Sequence, residues 1–315
     1  MAIDLMQTTV KSKQPGRPAK RPSLTAYQAK QIAQKMLSGH EITPSAERIL
    51  DLLGNAGVLT AGQIAQLVGG ISPRSLQRYQ VKHLVDRLPA DLAVLVTKGF
   101  SDQIDPSLRV YTLGMVGVEI MKINLGEGKY VTPSYYGGQR SALIHDLIVN
   151  EVVVRLRTAA AQRGCGALWF SKQEATVLDE NKTAVLQPDA LVVITKGRHR
   201  RFLAIEVHNE DHGNRVPDKI RRYERVYKGG RWVEKWKAGS DESVAVITVF
   251  TVPIVGQTYA EQVGKEAANL NLSYLGKSWE SVVNSDDQDI ALWGDYARRT
   301  KVDVFSDEFL NEGNK

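Results

Sequence analysis

The sequence contains one cysteine, Cys165, and no apolar run of the length that a membrane-spanning helix needs. A single cysteine excludes an intrachain disulfide and a cysteine-based zinc cluster, and is typical of a reducing compartment. The segment MAIDLMQTTVKSKQPGRP also lacks the uninterrupted apolar stretch of a secretory signal. With 43% hydrophobic residues among 315, the chain is long enough for two modest domains. We therefore expect a cytoplasmic protein that does not enter a membrane.

The net charge of +6 is distributed unevenly along the chain. Residues 1–40 carry seven Lys/Arg and one acid, and residues 196–237 carry thirteen Lys/Arg and six acids. From Asp241 onward the balance is reversed, with thirteen acids and six bases. Clustered positive charge displaces the counterions that condense on phosphates, so two basic zones favour double-stranded DNA as a partner. The alternative is a basic surface that is simply solvated.

Residues 1–22 combine Pro, Gly and Lys/Arg without apolar periodicity, which predicts a disordered basic arm. The segment Pro15-Gly16-Arg17-Pro18 resembles an AT-hook, in which a narrow Gly-Arg-Pro segment lies in the minor groove of A·T-rich DNA. The Arg that usually precedes the Gly is missing here. Arg17 is therefore a candidate DNA contact, either in the minor groove or as part of a phosphate-binding arm.

Residues 23–131 are predicted to form a DNA-binding domain. Helices are expected at 23–37 and 44–53, after the cap Thr60, and from Pro73 to Leu88, with Pro at the first helical position. Strands are expected at 92–99 and 108–114, followed by another helix. Helices followed by a strand, a loop and a strand are typical of a winged helix-turn-helix, whose third helix enters the major groove.

The helix predicted from Pro73 carries a basic stripe. Its cationic residues recur every four positions, on a different side from Leu76, Leu84 and Leu88. Neighbouring polar side chains are candidates for further base-edge or phosphate contacts. An ordinary solvated helix face is the alternative explanation. The candidate DNA-binding residues in this helix are Arg74, Ser75, Gln77, Arg78 and Lys82.

A second domain is predicted at 139–275, after a Gly/Pro-rich boundary at 132–138. Its pattern is a long amphipathic helix, three strands, a helix, a strand and a further helix. The whole chain is therefore expected to be of mixed α+β or α/β class. Arg221 and Arg222 lie in the helix of the second basic zone and are further candidate DNA contacts, and residues 276–315 are expected to form an acidic C-terminal extension.

Two carboxylates lie at corresponding points of neighbouring predicted strands. Asp189 precedes the strand DALVVITK, and Glu206 lies inside the strand RFLAIEVH. Carboxylate oxygens on adjacent strands can hold Mg²⁺ or Mn²⁺, which would activate a water. The alternative is a site whose carboxylates form salt bridges with Arg200, Arg201 or Arg221.

The order of these elements resembles the PD-(D/E)xK nuclease fold, an αβββαβ core. The resemblance implies that Pro188-Asp189 and Glu206 are the metal-binding acids and that Glu151 is the acid of the first helix. His208 stands where this family has a lysine. Lys219, in the following helix, is placed to replace that lysine, and Tyr223 one turn later resembles another position of the family. The resemblance therefore implies a catalytic set of Asp189, Glu206, His208, Lys219 and Glu151.

From Pro44 to Gly256 the chain is similar to the replication-relaxation family of plasmids and conjugative elements. The shared motifs are YTLG before a helix, His145-Asp146-Leu147 in the long helix, the PDA strand start and the segment IEVHNEDHG. This resemblance implies a winged helix joined to a degenerate nuclease-like domain, and a role in handling mobile-element DNA. It does not by itself imply cleavage.

Three functions remain open at this point. The first is a DNA-binding accessory protein of plasmid replication, relaxation or conjugative transfer, with a relaxase or replication protein as partner. The second is a Mg²⁺- or Mn²⁺-dependent endonuclease, and the third is a transcriptional repressor. A homodimer is also an open alternative, because many winged-helix proteins bind paired half-sites.

Overall fold

The computed structural model describes most of the chain in full: residues 24–88, 109–126, 130, 140–208, 215–239, 242–266, 270–286 and 288–311. The basic arm with Arg17, the strand predicted at 92–99 and the boundary at 132–138 lie outside these residues. The prediction of mixed α and β structure is confirmed. Among the described residues, no helix combines the length and the apolar character needed to cross a membrane.

The N-terminal unit combines helices with a small antiparallel sheet. Its strands pair in the order β1-β3-β2. Thr25, Thr43, Thr60 and Ser72 cap the first four helices, each accepting a backbone N–H of the first turn. The elements are α1 (Ala26–Ser38), α2 (Pro44–Ala56), β1 (Val58–Thr60), α3 (Ala61–Val68), α4 (Pro73–Val81), β2 (Val85–Arg87), β3 (Val110–Leu113) and α5 (Met115–Leu125).

The prediction that one helix runs from Pro73 to Leu88 is wrong at its C-terminal end. Helix α4 ends at Val81, because His83 adopts a left-handed conformation with φ 57°. The N–H of His83 donates to the carbonyl of Gln80 at 3.0 Å, and the N–H of Leu84 to that of Tyr79 at 3.0 Å. These two bonds form a Schellman motif, which ends a helix. Residues 85–87 then form β2.

The rest of the chain is built around a mixed seven-stranded sheet of order β12-β11-β10-β9-β8-β7-β4. Strands β8, β9 and β10 are parallel, and the other neighbours are antiparallel. The elements are α6 (Arg140–Gln162), β4 (Gly166–Phe170), α7 (Lys172–Ala175), β5 (Val177–Leu178), β6 (Ala184–Leu186), β7 (Ala190–Lys196), β8 (His199–His208), α8 (Val216–Lys228), α9 (Arg231–Trp236), β9 (Ser243–Phe250), α10 (Pro253–Glu266), β10 (Ser273–Ser278), α11 (Trp279–Val283), a 3-10 turn (Asp289–Ala291), β11 (Leu292–Asp295), β12 (Thr300–Asp303) and α12 (Asp307–Leu310).

Alternating apolar residues give the sheet two buried faces. Val192 and Leu203 pack against α6 on one face, whereas Leu191 and Phe202 pack under α8 and α9 on the other. Trp236 of α9 stacks on Phe202, with ring centroids 6.0 Å apart, and its indole N–H donates to the carbonyl of Ala175. Trp232 and Trp236 are thus core residues.

Residues 276–315, which the sequence marks as an acidic extension, contribute to this sheet. Strand β11 pairs with β10, and β12 pairs with β11. Trp293 and Phe309 from this segment are buried in the same core as α6. The described part of the acidic segment is therefore an integral edge of the domain.

Candidate functional site

The backbone pairing of β7 and β8 brings Asp189 and Glu206 side by side. Ala190 is registered with Ile205, and the N–H of Asp189 donates to the carbonyl of Ile205 at 3.0 Å. Asp189 lies one residue before β7, and Glu206 lies near the end of β8. The two carboxylates therefore lie at the same edge of the sheet, as the strand assignment predicts.

Helix α8 supplies the partners of Glu206, whose side chain is 3% exposed. The hydroxyl of Tyr223 donates to Oε1 at 2.7 Å, and the ammonium of Lys219 contacts Oε2. Lys219 and Tyr223 are four residues apart, so they project from one side of the helix. Burial raises the pKa of Glu206 above its ordinary value, and the charge of Asp189 acts in the same direction, while Lys219 and Tyr223 oppose it.

Helix α6 supplies the main partner of Asp189. His145 Nε2 lies 3.1 Å from Asp189 Oδ2, which also accepts the N–H of Val207 at 2.9 Å. The ammonium of Lys172, in α7, is 3.7 Å from the other oxygen. Burial alone would raise the pKa of Asp189, but the hydrogen bond and charge of His145, with Lys219 and Lys172, hold it below its ordinary range.

His145 carries a positive charge in this arrangement. Burial alone lowers its pKa, but the hydrogen bonds and charges of Asp146 and Asp189 outweigh burial and raise the pKa to about 10. Its Nδ1 lies 3.3 Å from Asp146 Oδ1. The cluster thus brings the carboxyl groups of Asp189 and Glu206 together with three basic side chains, His145, Lys172 and Lys219.

The hydrogen-bond partners of the carboxylate oxygens bear on whether a divalent cation fits. Glu206 uses both oxygens for Lys219 and Tyr223, and Asp189 uses Oδ2 for His145 and a backbone N–H. A hard cation needs several oxygen ligands free of such donors. Among the described residues, no group of three or more His, Cys, Asp or Glu is arranged to hold a metal ion. A Mg²⁺ or Mn²⁺ ion bound at Glu206 and Asp189 would therefore compete with Lys219 and His145 for these oxygens.

The structure places two other predicted site residues in different surroundings. Glu151 accepts hydrogen bonds from Arg155 at 2.8 Å and from Gln63 of α3 at 2.7 Å, so its contacts lie toward the N-terminal unit. His208 is 1% exposed, and its Nε2 lies 2.9 Å from the hydroxyl of Tyr259. His208 thus follows Glu206 along β8 but is paired with a side chain of α10.

The arginines that the sequence offers as alternative partners are engaged elsewhere. Arg200 pairs with Glu242 at 2.9 Å, and Arg201 donates to Ser273 Oγ at 2.8 Å. Arg221 pairs with Asp218 within α8. The carboxylates are therefore neutralised by His145 and two lysines rather than by an arginine.

The candidate DNA contacts around α4 lie on the surface, with one exception. Arg74, Gln77 and Arg78 are exposed on the helix, and Lys82 is its exposed C-terminal cap. Ser75 is half-buried, and its hydroxyl bonds with the capping Ser72 and accepts from Arg78. In α8, the candidate DNA contacts Arg221 and Arg222 are both exposed.

Two residues of the site, His145 and Lys172, are missed by sequence reasoning. His145 lies 44 positions before Asp189. One signal could have found it, since His145-Asp146-Leu147 is among the motifs that carry the family resemblance. For Lys172 we find no signal, because one lysine at the start of a short helix is unremarkable in a basic protein.

Together these features define a mixed α+β protein with a helical N-terminal unit and a large sheet that holds a buried carboxylate–cation cluster at its edge. The family model described as replication-relaxation matches residues 50–239, which is more than half of the chain. The chain belongs to the replication-relaxation family. No curated protein and no solved structure matches it.

Proposed function

We propose that this protein is a DNA-binding accessory factor in the replication, relaxation or conjugative transfer of a plasmid or other mobile element. The observation that carries the proposal is the exposed row of Arg74, Gln77, Arg78 and Lys82 on and just after α4. Helices α2, α3 and α4, with β1 between α2 and α3 and with β2 and β3 after α4, resemble a winged helix-turn-helix, in which such a row faces the major groove.

A second cationic surface supports the proposal. On α8, the residues Arg222, Arg225 and Lys228 are exposed, opposite the side that carries Tyr223 to the site. Arginine and lysine side chains on a helix bind phosphates without reading sequence. In this proposal α4 selects the site on double-stranded DNA, α8 holds the backbone, and a relaxase or replication protein is the partner at that site.

The test is a DNA-binding titration with the variant Arg74→Gln/Arg78→Gln/Lys82→Gln. Fluorescence anisotropy with duplex DNA should show at least a tenfold loss of affinity. The slope of log K against log salt should fall by about 2 to 3, because each lost phosphate contact removes about 0.9 from it. Lys265→Gln, an exposed change in α10, is the matched control and should leave both quantities unchanged. Equal affinity of the triple variant and the wild type would refute the proposal.

DNA cleavage is a second candidate, favoured by the convergence of Asp189, Glu206 and Lys219 from three elements. We propose it as the alternative because perturbed acids in one buried cluster are typical of catalytic sites. The contacts of His145 and Lys219 oppose it, since both would compete with a metal ion for the carboxylate oxygens.

Supercoiled DNA incubated with the protein and Mg²⁺ or Mn²⁺ separates the two functions. Nicking by the wild type that is lost in Asp189→Asn and in Glu206→Gln would establish cleavage. DNA binding without nicking would leave the accessory function as the supported one. Lys265→Gln is the control, because it changes an exposed charge in α10 without touching the carboxylates.

A further inference from the structure

A pocket of about 590 Å³ with both polar and apolar walls lies at the edge of the sheet where the parallel strands β9 and β10 end. Its walls include Phe250 at the end of β9 and Ser278 at the end of β10. The carboxyl ends of parallel strands are where α/β sheets commonly bind ligands. The pocket is separate from the carboxylate cluster, and none of its lining residues belongs to that cluster.

Strand pairing keeps the pocket open. Gly276, Gly294 and Lys301 are registered in one row across β10, β11 and β12. Neither glycine has positive φ, so the backbone conformation does not require glycine. A Cβ on Gly276 would instead collide with the hydroxyl and ring of Tyr296, which also lines the pocket. Gly276 thus leaves space for the ring of Tyr296, and Lys301 lies at the end of the row.

Two lysines place positive charge in the pocket. Lys301 is exposed, and Lys277 is held in place by bonds to Ser285 Oγ at 2.9 Å and to the carbonyl of Asp289 at 2.6 Å. Burial lowers the pKa of Lys277 to about 8; Lys301 and Arg155 act in the same direction, while Asp289 and Asp286 oppose them. An anion that binds here would relieve the repulsion between the cations.

The other wall residues of the pocket provide hydrogen-bond donors for a phosphate and aromatic rings for a base. The hydroxyl of Ser281 and the amide of Asn284 line the pocket and can donate to phosphate oxygens, whereas the Ser285 hydroxyl donates to the carbonyl of Ser281. Phe250 and Tyr296 offer aromatic rings, against which planar bases stack. The volume lies within the usual range for small-ligand sites, about 300–1,000 Å³.

We propose that this pocket binds a nucleoside phosphate, with the phosphate held by Lys277 and Lys301 and the base against Phe250 and Tyr296. The ligand is either a free nucleotide or the 5′-phosphorylated terminal nucleotide of a DNA strand. Neither source depends on duplex binding by α4, so this proposal and the proposed function can fail independently.

Calorimetric titration of the full chain with deoxynucleoside 5′-monophosphates at low salt tests the pocket. Wild type should bind, and the corresponding deoxynucleosides should bind at least tenfold more weakly. Lys301→Ala should weaken binding at least fivefold, and Asp289→Asn should strengthen it. Both residues are exposed, so neither change threatens the fold. Lys265→Ala is the control and should leave the affinity unchanged.

Sulfate keeps its charge between pH 7 and 9, so the pH dependence of sulfate binding reports the protonation of Lys277. Affinity should fall as the pH rises from 7 to 9, since Lys277 loses its proton near pH 8. Failure of wild type to bind nucleotides, or identical affinities of wild type, Lys301→Ala and Asp289→Asn, would overturn the proposal.

Single-stranded DNA with and without a 5′-phosphate separates the two sources. If the ligand is a strand end, the phosphorylated strand binds more tightly, Lys301→Ala removes that preference, and free nucleotide displaces the strand. If the ligand is a free nucleotide, the strands bind equally and free nucleotide displaces neither. Each result supports the pocket and identifies its ligand.

Discussion

His145 connects the long helix α6 to the carboxylate edge of the sheet. Its ring lies between Asp146 and Asp189, at 3.3 and 3.1 Å. The side chain of Asp189 is 9% exposed, so its negative charge has little access to water for compensation. An uncompensated buried charge is strongly destabilising, which makes His145 the residue on which the stability of this edge depends.

Replacing His145 with Gln should lower the free energy of unfolding by roughly 3 kcal/mol, because it leaves the Asp189 carboxylate without its main cation. Chemical denaturation at pH 7 measures the change. In the double variant with Asp189→Asn the buried charge is also removed, so the combined loss should be smaller than the sum of the two single losses. Additive losses would show that the two side chains do not interact.

The contribution of His145 to the free energy of unfolding should disappear at alkaline pH. Its pKa in the folded protein is about 10, above the ordinary value of 6.5. Protonated His145 therefore stabilises the fold fully below about pH 6.5, and this stabilisation is lost as the pH rises through about 10. Denaturation curves of wild type and His145→Gln should converge over that interval. A difference that stays constant across it would contradict the ion pair.

At the scale of the element, α4 shows how a helix end depends on a single residue. Nothing in the pattern PRSLQRYQVKHLVDRL marks a stop, because the position that ends the helix is His83 and not the usual glycine. The apolar spacing continues through Leu84 and Leu88, and it predicts a longer helix. The backbone instead turns at His83, and Leu84 is buried in the N-terminal core.

His83→Gly should stabilise the protein by roughly 0.5–1 kcal/mol, because glycine adopts positive φ without the strain that a Cβ causes. Thermal unfolding followed by circular dichroism would detect the rise in Tm. Val81→Gly, inside the last helical turn, is the matched control and should destabilise by about 1 kcal/mol. A lower Tm for His83→Gly would mean that the half-buried imidazole contributes more than the strain costs.

At the scale of the whole molecule, α6 joins the N-terminal unit to the large sheet. Asn150, 2% exposed, donates from Nδ2 to the carbonyls of Ala56, at 3.1 Å, and Val58. Val58 also packs in the core that lies between α6 and the sheet. His145 and Asn150 lie on the same helix. Helix α6 therefore supplies both the partner of the buried Asp189 carboxylate and the contact that joins the N-terminal unit to the sheet.

Asn150→Leu should destabilise the chain by roughly 2 kcal/mol, since two buried carbonyls lose their donor. Hydrogen exchange should increase in β1 and the end of α2 before it increases in β7 and β8. Gln66→Ala removes an exposed hydrogen bond between α3 and Thr158 of α6, at 2.8 Å, and should cost less than about 0.5 kcal/mol. Equal exchange in wild type and Asn150→Leu would show that this contact does not hold the two units together.

The sequence by itself determined the strands that carry Asp189 and Glu206, the helix that carries Lys219 and Tyr223, and the amphipathic character of α6. The elements follow from local periodicity, whereas the grouping of Asp189, Glu206 and Lys219 in one site was implied by the family resemblance. The tertiary structure alone decided that His145 neutralises Asp189, and that residues 292–303 complete the sheet.

The tertiary structure also decided that Gly276, Gly294 and Lys301 share a row beside an open pocket. These features depend on which distant segments become neighbours and in what register. Side-chain partners across a sheet or between helices are set by packing geometry, and a periodic pattern in one segment contains no information about the position of another.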